Sequence, residues 1–134
     1  MAESSEYHDG GCMCGAIRYR LHEPFSYSAH CHCRSCQRAV GAGFVTYTAA
    51  PSAQLEILQG DMAIFASSSG VRRGFCRDCG TSLLYESEGW DDPAIMTATL
   101  DDPTVASPTT NAYTADKQPW VTLDPALKQY HHFP

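Results

Sequence analysis

The chain is short of positive charge. Nine lysines and arginines face fifteen aspartates and glutamates, which leaves a formal net charge of −6. No basic stripe remains to neutralise a phosphate backbone, so a nucleic-acid partner is excluded. Long apolar runs are missing too. Nothing approaches the ~20 residues of a membrane span. The polar, acidic start lacks the basic head and apolar run of a secretory signal. These absences predict a cytoplasmic protein without a membrane partner, in a compartment where disulfides are rare. No linker, low-complexity tract or internal repeat divides the 134 residues. One domain is therefore expected over 1–134, with residues 1–9 as a flexible leader.

Helical periodicity is also scarce. The spacing predicts a short helix over Arg34–Val40, ended by Gly41, and another over Pro125–Tyr130. Strand signals dominate. Ala16–Leu21 alternates apolar and polar residues, the period of a half-buried strand. Phe44–Thr48 is rich in β-branched and aromatic residues. Leu55–Leu58 and Ala63–Ala66 flank the turn signal Gly60-Asp61. Val71–Phe75 and Ser82–Glu86 read as a hairpin. Ala94–Leu100 reads as a strand between two Asp-Asp-Pro turns. With a hydrophobic fraction of 43%, this pattern predicts a mainly β sandwich or open barrel.

Against this ordinary background stand seven cysteines. An odd number of thiols in a reducing compartment points away from a disulfide framework. They fall into three groups: Cys12-Met-Cys14, Cys31-His-Cys-Arg-Ser-Cys36 and Cys76-Arg-Asp-Cys79-Gly80. Zinc takes four tetrahedral ligands, and thiolates are common structural donors. In a C-x-x-C-G turn the glycine tolerates the positive φ that brings two thiolates onto one ion. An extended C-x-C segment puts both side chains on one face. Pairing Cys12 and Cys14 with Cys76 and Cys79 makes a closed four-thiolate site and leaves the contiguous triplet together. Cys31, Cys33 and Cys36 then supply three ligands and leave one position open, the usual arrangement of catalytic zinc. Two Zn²⁺ ions held by seven thiolates would make the chain still more acidic. The rival readings are a redox pair at Cys33-x-x-Cys36 and an iron–sulfur cluster. The first lacks its strand–helix–strand setting. The second uses the same ligands.

Other residues say less. His30 and His32 point away from a metal held by Cys31 and Cys33. His131 and His132 read as exposed, and His8 and His22 carry no signal. Trp90 and Trp120 read as core or pocket-rim residues. Arg72-Arg73 reads either as an exposed pair or as a salt-bridge partner for a substrate carboxylate.

The segments Gly10-Gly-Cys-Met-Cys-Gly-Ala-Ile-Arg-Tyr19, His30-Cys-His-Cys-Arg-Ser-Cys-Gln37 and Phe75-Cys-Arg-Asp-Cys-Gly80 occur in that order. Together they resemble the glutathione-dependent formaldehyde-activating enzyme family, which includes the centromere protein V type, from about Gly10 to Tyr130. The resemblance implies a β-tent fold of short antiparallel strands with one or two short helices. It implies a structural zinc on Cys12, Cys14, Cys76 and Cys79 and a second zinc on Cys31, Cys33 and Cys36. It also implies a carbon–sulfur lyase that joins glutathione to formaldehyde or separates them. The chain departs from the family at Thr110-Asn-Ala-Tyr113, where a histidine often precedes the Pro-Trp pair that is present here as Pro119-Trp120.

The mechanism expected is thiol activation. Zinc deprotonates a bound thiol. The open site of Cys31, Cys33 and Cys36 would present a small thiol such as glutathione to a small aldehyde. Tyr85, His32 and Asp78 are the candidates for proton transfer on chemistry alone. The alternative is a non-catalytic zinc-binding protein-interaction module.

Overall fold

The computed structural model describes residues 6–133. The first strand, β1 (Tyr7–Gly11), pairs antiparallel with β2 (Arg18–His22). Residues 7–9, expected in a flexible leader, thus belong to a sheet. Two contacts fasten them: His8 Nε2 meets Glu23 Oε2 at 2.8 Å, and Arg20 Nε donates to Asp9 Oδ1 at 2.8 Å. Residues 1–5 of that leader lie outside the described residues. β2 shows the alternation the sequence displays. Tyr19 and Leu21 are buried, while Arg18 and Arg20 face outward to Asp101 and Asp9.

β3 (Tyr27–Cys31) leads into the single α-helix among the described residues, α1 (Arg34–Val40). The helix has the bounds its sequence predicts. Cys33 caps its start, accepting from Cys36 N–H. Gly41 ends it in the left-handed region at φ 67°. β4 (Val45–Ala49), β5 (Leu55–Gln59), β6 (Ala63–Ser68), β7 (Val71–Phe75), β8 (Ser82–Ser87) and β9 (Ala94–Met96) follow. The strand expected to run to Leu100 stops at Met96, and a 3₁₀ turn takes Thr97–Thr99. β10 (Thr110–Ala112) and β11 (Lys128–Gln129) complete the chain. β11 replaces the helix expected over Pro125–Tyr130. Lys128 and Tyr130 donate to Thr109 O and Asn111 O, so β10 takes the N–H groups that a helix would have used internally.

The strands form two sheets, one of order β1-β2-β5 and one of order β11-β10-β3-β4-β9-β8-β7-β6. All pairings are antiparallel except those of β10 with β3 and β11. The molecule is mainly β, as expected. Two buried clusters form. Cys12, Ile17, Tyr19, Leu21, Cys76, Leu83, Leu84, Ile95 and Leu100 belong to the first. Ala29, Cys31, Cys36, Val45, Tyr47, Ala49, Ala94 and Met96 belong to the second. The first cluster contains thiols of the Cys12 and Cys76 groups, the second those of the Cys31–Cys36 group. Leu83 is fully buried in the first. Leu83→Ala is expected to cost about 3 kcal/mol of unfolding free energy by urea titration. Among the described residues, no helix is long and apolar enough to cross a membrane.

Candidate functional site

The four thiols of Cys12, Cys14, Cys76 and Cys79 meet where the β1–β2 connection approaches the β7–β8 hairpin, all within 4.8 Å of one another. Cys12-Met-Cys14 is not extended as expected but curls into a turn, closed by Gly15 N–H donating to Cys12 O at 3.1 Å. The partner knuckle is closed by Gly80 N–H donating to Cys76 O at 2.8 Å, with Gly80 at φ 81°. Sγ–Sγ separations are 3.7 Å for Cys12–Cys14 and 3.8 Å for Cys14–Cys76. Tetrahedral zinc with bonds of about 2.3 Å places its sulfurs about 3.8 Å apart, so this donor set fits the ion. Hydrogen bonds prime two of these thiols, Cys12 and Cys79, as thiolates, whereas Cys14 is pushed up to about 12 beside its neighbouring thiols. Ile17 N–H donates to Cys12 Sγ at 3.2 Å. The Thr81 hydroxyl, 3.2 Å from Cys79 Sγ, and the Thr81 N–H hold that thiol down at about 5.

The second group is built differently. Cys31 ends β3, Cys33 caps α1 and Cys36 lies in the first turn of α1. Their three Sγ atoms also lie within 4.8 Å of one another. Cys36 N–H donates to Cys33 Sγ at 3.3 Å. Hydrogen bonds from Cys31 and Cys36 pull the Cys33 thiol far below its ordinary value, and the same contacts together with burial push Cys31 far up. The first thiolate forms easily and the next only against its neighbour's charge. A divalent cation relieves that repulsion, so three thiols in this state fit a metal.

These three thiols line a cavity of about 310 Å³. Six aromatic rings line it as well: Tyr27, Tyr47, Tyr85, Trp90, Tyr113 and Phe133. Trp90 and Phe133 pack edge to face with centroids 4.4 Å apart. Burial raises the phenol pKa values of Tyr85, Tyr47, Tyr113 and Tyr27, the last to about 12. All four therefore stay protonated at neutral pH and can donate. Tyr113 sits in the left-handed region at φ 58°, held by its N–H to His132 O at 2.6 Å. A strained non-glycine residue in a cavity wall is a mark of functional sites. It stands in the segment where the family often has histidine.

Of the three proton-transfer candidates, Tyr85 lines the cavity; His32 and Asp78 do not. His32 is buried behind the triplet, its Nε2 2.9 Å from Asn111 Oδ1 and its ring against Phe44. Asp78 is exposed on the Cys76–Cys79 knuckle. His30 turns to Thr46 Oγ1 at 2.7 Å. The arginine pair divides: Arg72 is exposed and paired with Glu86, while Arg73 lines the cavity. Trp90 is a rim residue as expected, whereas Trp120 is 73% exposed on a loop. Sequence reasoning missed Tyr27, Tyr47, Tyr113 and Phe133. They arrive from separate strands and the C-terminal tail, and no local pattern unites them.

The model of the glutathione-dependent formaldehyde-activating enzyme family matches residues 7–116. The chain belongs to this family. The matched span contains both thiol groups, and the tail that carries Phe133 lies beyond it. An uncharacterized lyase of Schizosaccharomyces pombe is 27% identical over 95 residues, covering 69% of this chain and 67% of that protein. A Halomonas elongata protein, provisionally named a glutathione-dependent formaldehyde-activating enzyme, is 24% identical over 126 residues, covering 87% of this chain and 80% of its own. A Rhodobacter sphaeroides protein of known crystal structure shares the fold, with a TM-score of 0.61 at 17% identity over 91% of this chain and 98% of that one.

Proposed function

We propose that the chain is a carbon–sulfur lyase of the glutathione-dependent formaldehyde-activating type, joining a small thiol to a small aldehyde or separating them. In this reading the chain is one domain with two zinc ions. Cys12, Cys14, Cys76 and Cys79 hold the structural ion. Cys31, Cys33 and Cys36 hold the second, which supplies the charge that favours a thiolate over a thiol. The observation that carries the proposal is the unequal setting of the two groups. Three thiols line a partly open cavity with aromatic walls, whereas the four-thiol group is a junction between chain segments. The family and the names of its lyase and formaldehyde-activating relatives support the same activity.

The chain's own side chains perform the rest. The aromatic walls exclude water, which favours the adduct over the hydrated aldehyde. The substrate thiolate attacks the aldehyde carbon and a C–S bond forms. The carbonyl π pair moves to oxygen, which takes its proton from Tyr85 Oη. Tyr85 recovers a proton from solvent, balancing the one the thiol released. In the reverse direction each transfer runs backwards.

NMR observation of formaldehyde with glutathione tests the proposal. Wild-type protein should speed exchange between free and adduct carbon signals, and Tyr85→Phe should slow it about 100-fold. No acceleration with any small thiol would refute the activity. The alternative, a non-catalytic zinc-binding protein-interaction module, has one observation in its favour. Ile57, Leu58, Ile64 and Phe65 are exposed on the edge strands β5 and β6.

A further inference from the structure

The cavity over the three-thiol group contains a guanidinium that no carboxylate among the described residues pairs with. Arg73 lies on β7, opposite Phe65 of β6 and Tyr85 of β8. Its Nε donates to Ser67 Oγ at 3.2 Å, and its guanidinium carbon sits 5.1 Å from the Tyr85 ring centroid. These contacts fix the fork of the side chain and leave both Nη groups for a ligand. Arg18, Arg20 and Arg72 are each spent on a carboxylate, of Asp101, Asp9 and Glu86. Arg73 forms no ion pair among the described residues. Asp92, the one carboxylate lining the cavity, accepts from the Ser26 hydroxyl and makes no ion pair with Arg73.

One side of the wall, at Trp90 and Phe133, is aromatic and apolar. Phe133 lies beyond the family-matched span and packs against Trp90 and Tyr27. A volume of about 310 Å³ stands at the lower end of the range for small-molecule sites. It suits a thiol of few atoms together with its aldehyde.

We infer that Arg73 selects the thiol: the substrate carries a carboxylate, gripped by the two Nη groups, on a short apolar body that lies against Trp90 and Phe133. This rests on the thiol–aldehyde reading of the site. An arginine fork matches a carboxylate bidentately, and such a charge-assisted pair discriminates strongly against a ligand lacking it.

The test compares three thiols of similar size with formaldehyde on the zinc-loaded protein: anionic 3-mercaptopropionate, neutral 2-mercaptoethanol and cationic cysteamine. The KM for 3-mercaptopropionate should lie about 10- to 100-fold below that for 2-mercaptoethanol, with cysteamine poorest. Arg73→Gln should erase the difference, Arg73→Lys should keep part of it, and Arg72→Gln should leave it whole. A wild-type protein indifferent to the carboxylate, or a preference that survives Arg73→Gln, would overturn the inference. Calorimetric titration of 3-mercaptopropionate without aldehyde separates the two readings. Arg73-dependent binding without any exchange would keep the carboxylate site and remove the lyase activity. Exchange without dependence on Arg73 would do the opposite.

Discussion

Cys76→Ser should unfold the protein. Cys76 is 1% exposed and sits in the first core cluster beside Cys12, Leu83 and Leu84. Its sulfur is 3.8 Å from that of Cys14, which arrives from 62 residues earlier. In the proposed structural site this thiolate is one of four. Loss of one ligand weakens the ion, and structural zinc contributes on the order of 10 kcal/mol to folding. The substitution also leaves a hydroxyl in an apolar setting. A stability loss above about 4 kcal/mol is expected, enough to exhaust the margin of an ordinary domain. Amide NMR dispersion and a urea titration would show it. A well-dispersed spectrum with an unchanged urea midpoint would remove the structural role from this group.

Cys31→Ser should do the reverse, sparing the fold and abolishing catalysis. Cys31 ends β3, and its backbone is held by pairing with β4 and β10. The second core cluster around it retains Val45, Tyr47, Ala49 and Met96. The stability cost should therefore stay near 1 kcal/mol. The activity cost should exceed about 1000-fold, because two remaining thiols neither hold the second ion firmly nor present a thiolate. Thiol–aldehyde exchange by NMR, with a melting curve on the same sample, reads both quantities. Unchanged exchange in a folded Cys31→Ser protein would remove the catalytic role from the three-thiol group.

The contrast between these variants follows from features unequally visible in the sequence. α1 was legible because both of its ends are chemical: a cysteine that accepts from Cys36 N–H and a glycine in the left-handed region. β2 was legible because Tyr19 and Leu21 alternate with two arginines. β1 was not, because Tyr-His-Asp-Gly-Gly is polar and its order comes from pairing with β2 and from the contacts of His8 with Glu23 and Asp9 with Arg20. β10 and β11 were hidden for the same reason. Thr110–Ala112 pairs in parallel with β3, about 80 residues earlier by the register of Asn111 with His30, and long-range parallel pairing leaves no periodic trace.

The thiol groups were legible by spacing, and the structure gathers the same residues that the spacing groups. The cavity was not. Tyr27, the Tyr85–Trp90 segment, Tyr113 and Phe133 lie far apart in the chain and meet only through the sheet order and the returning tail. Arg72 and Arg73 differ by one position, yet strand pleating sends one to Glu86 and the other into the cavity. The sequence offers the pair, but only strand register decides which arginine is free.

The proposed function requires two unlike metal centres, one closing the fold and one open to a ligand. Metal analysis of the natively purified protein beside its Cys31→Ser variant tests that most directly. Two zinc ions per wild-type chain, and one in a Cys31→Ser chain that remains folded, are the predicted result. A single ion in the wild type, or iron in place of zinc, would contradict it.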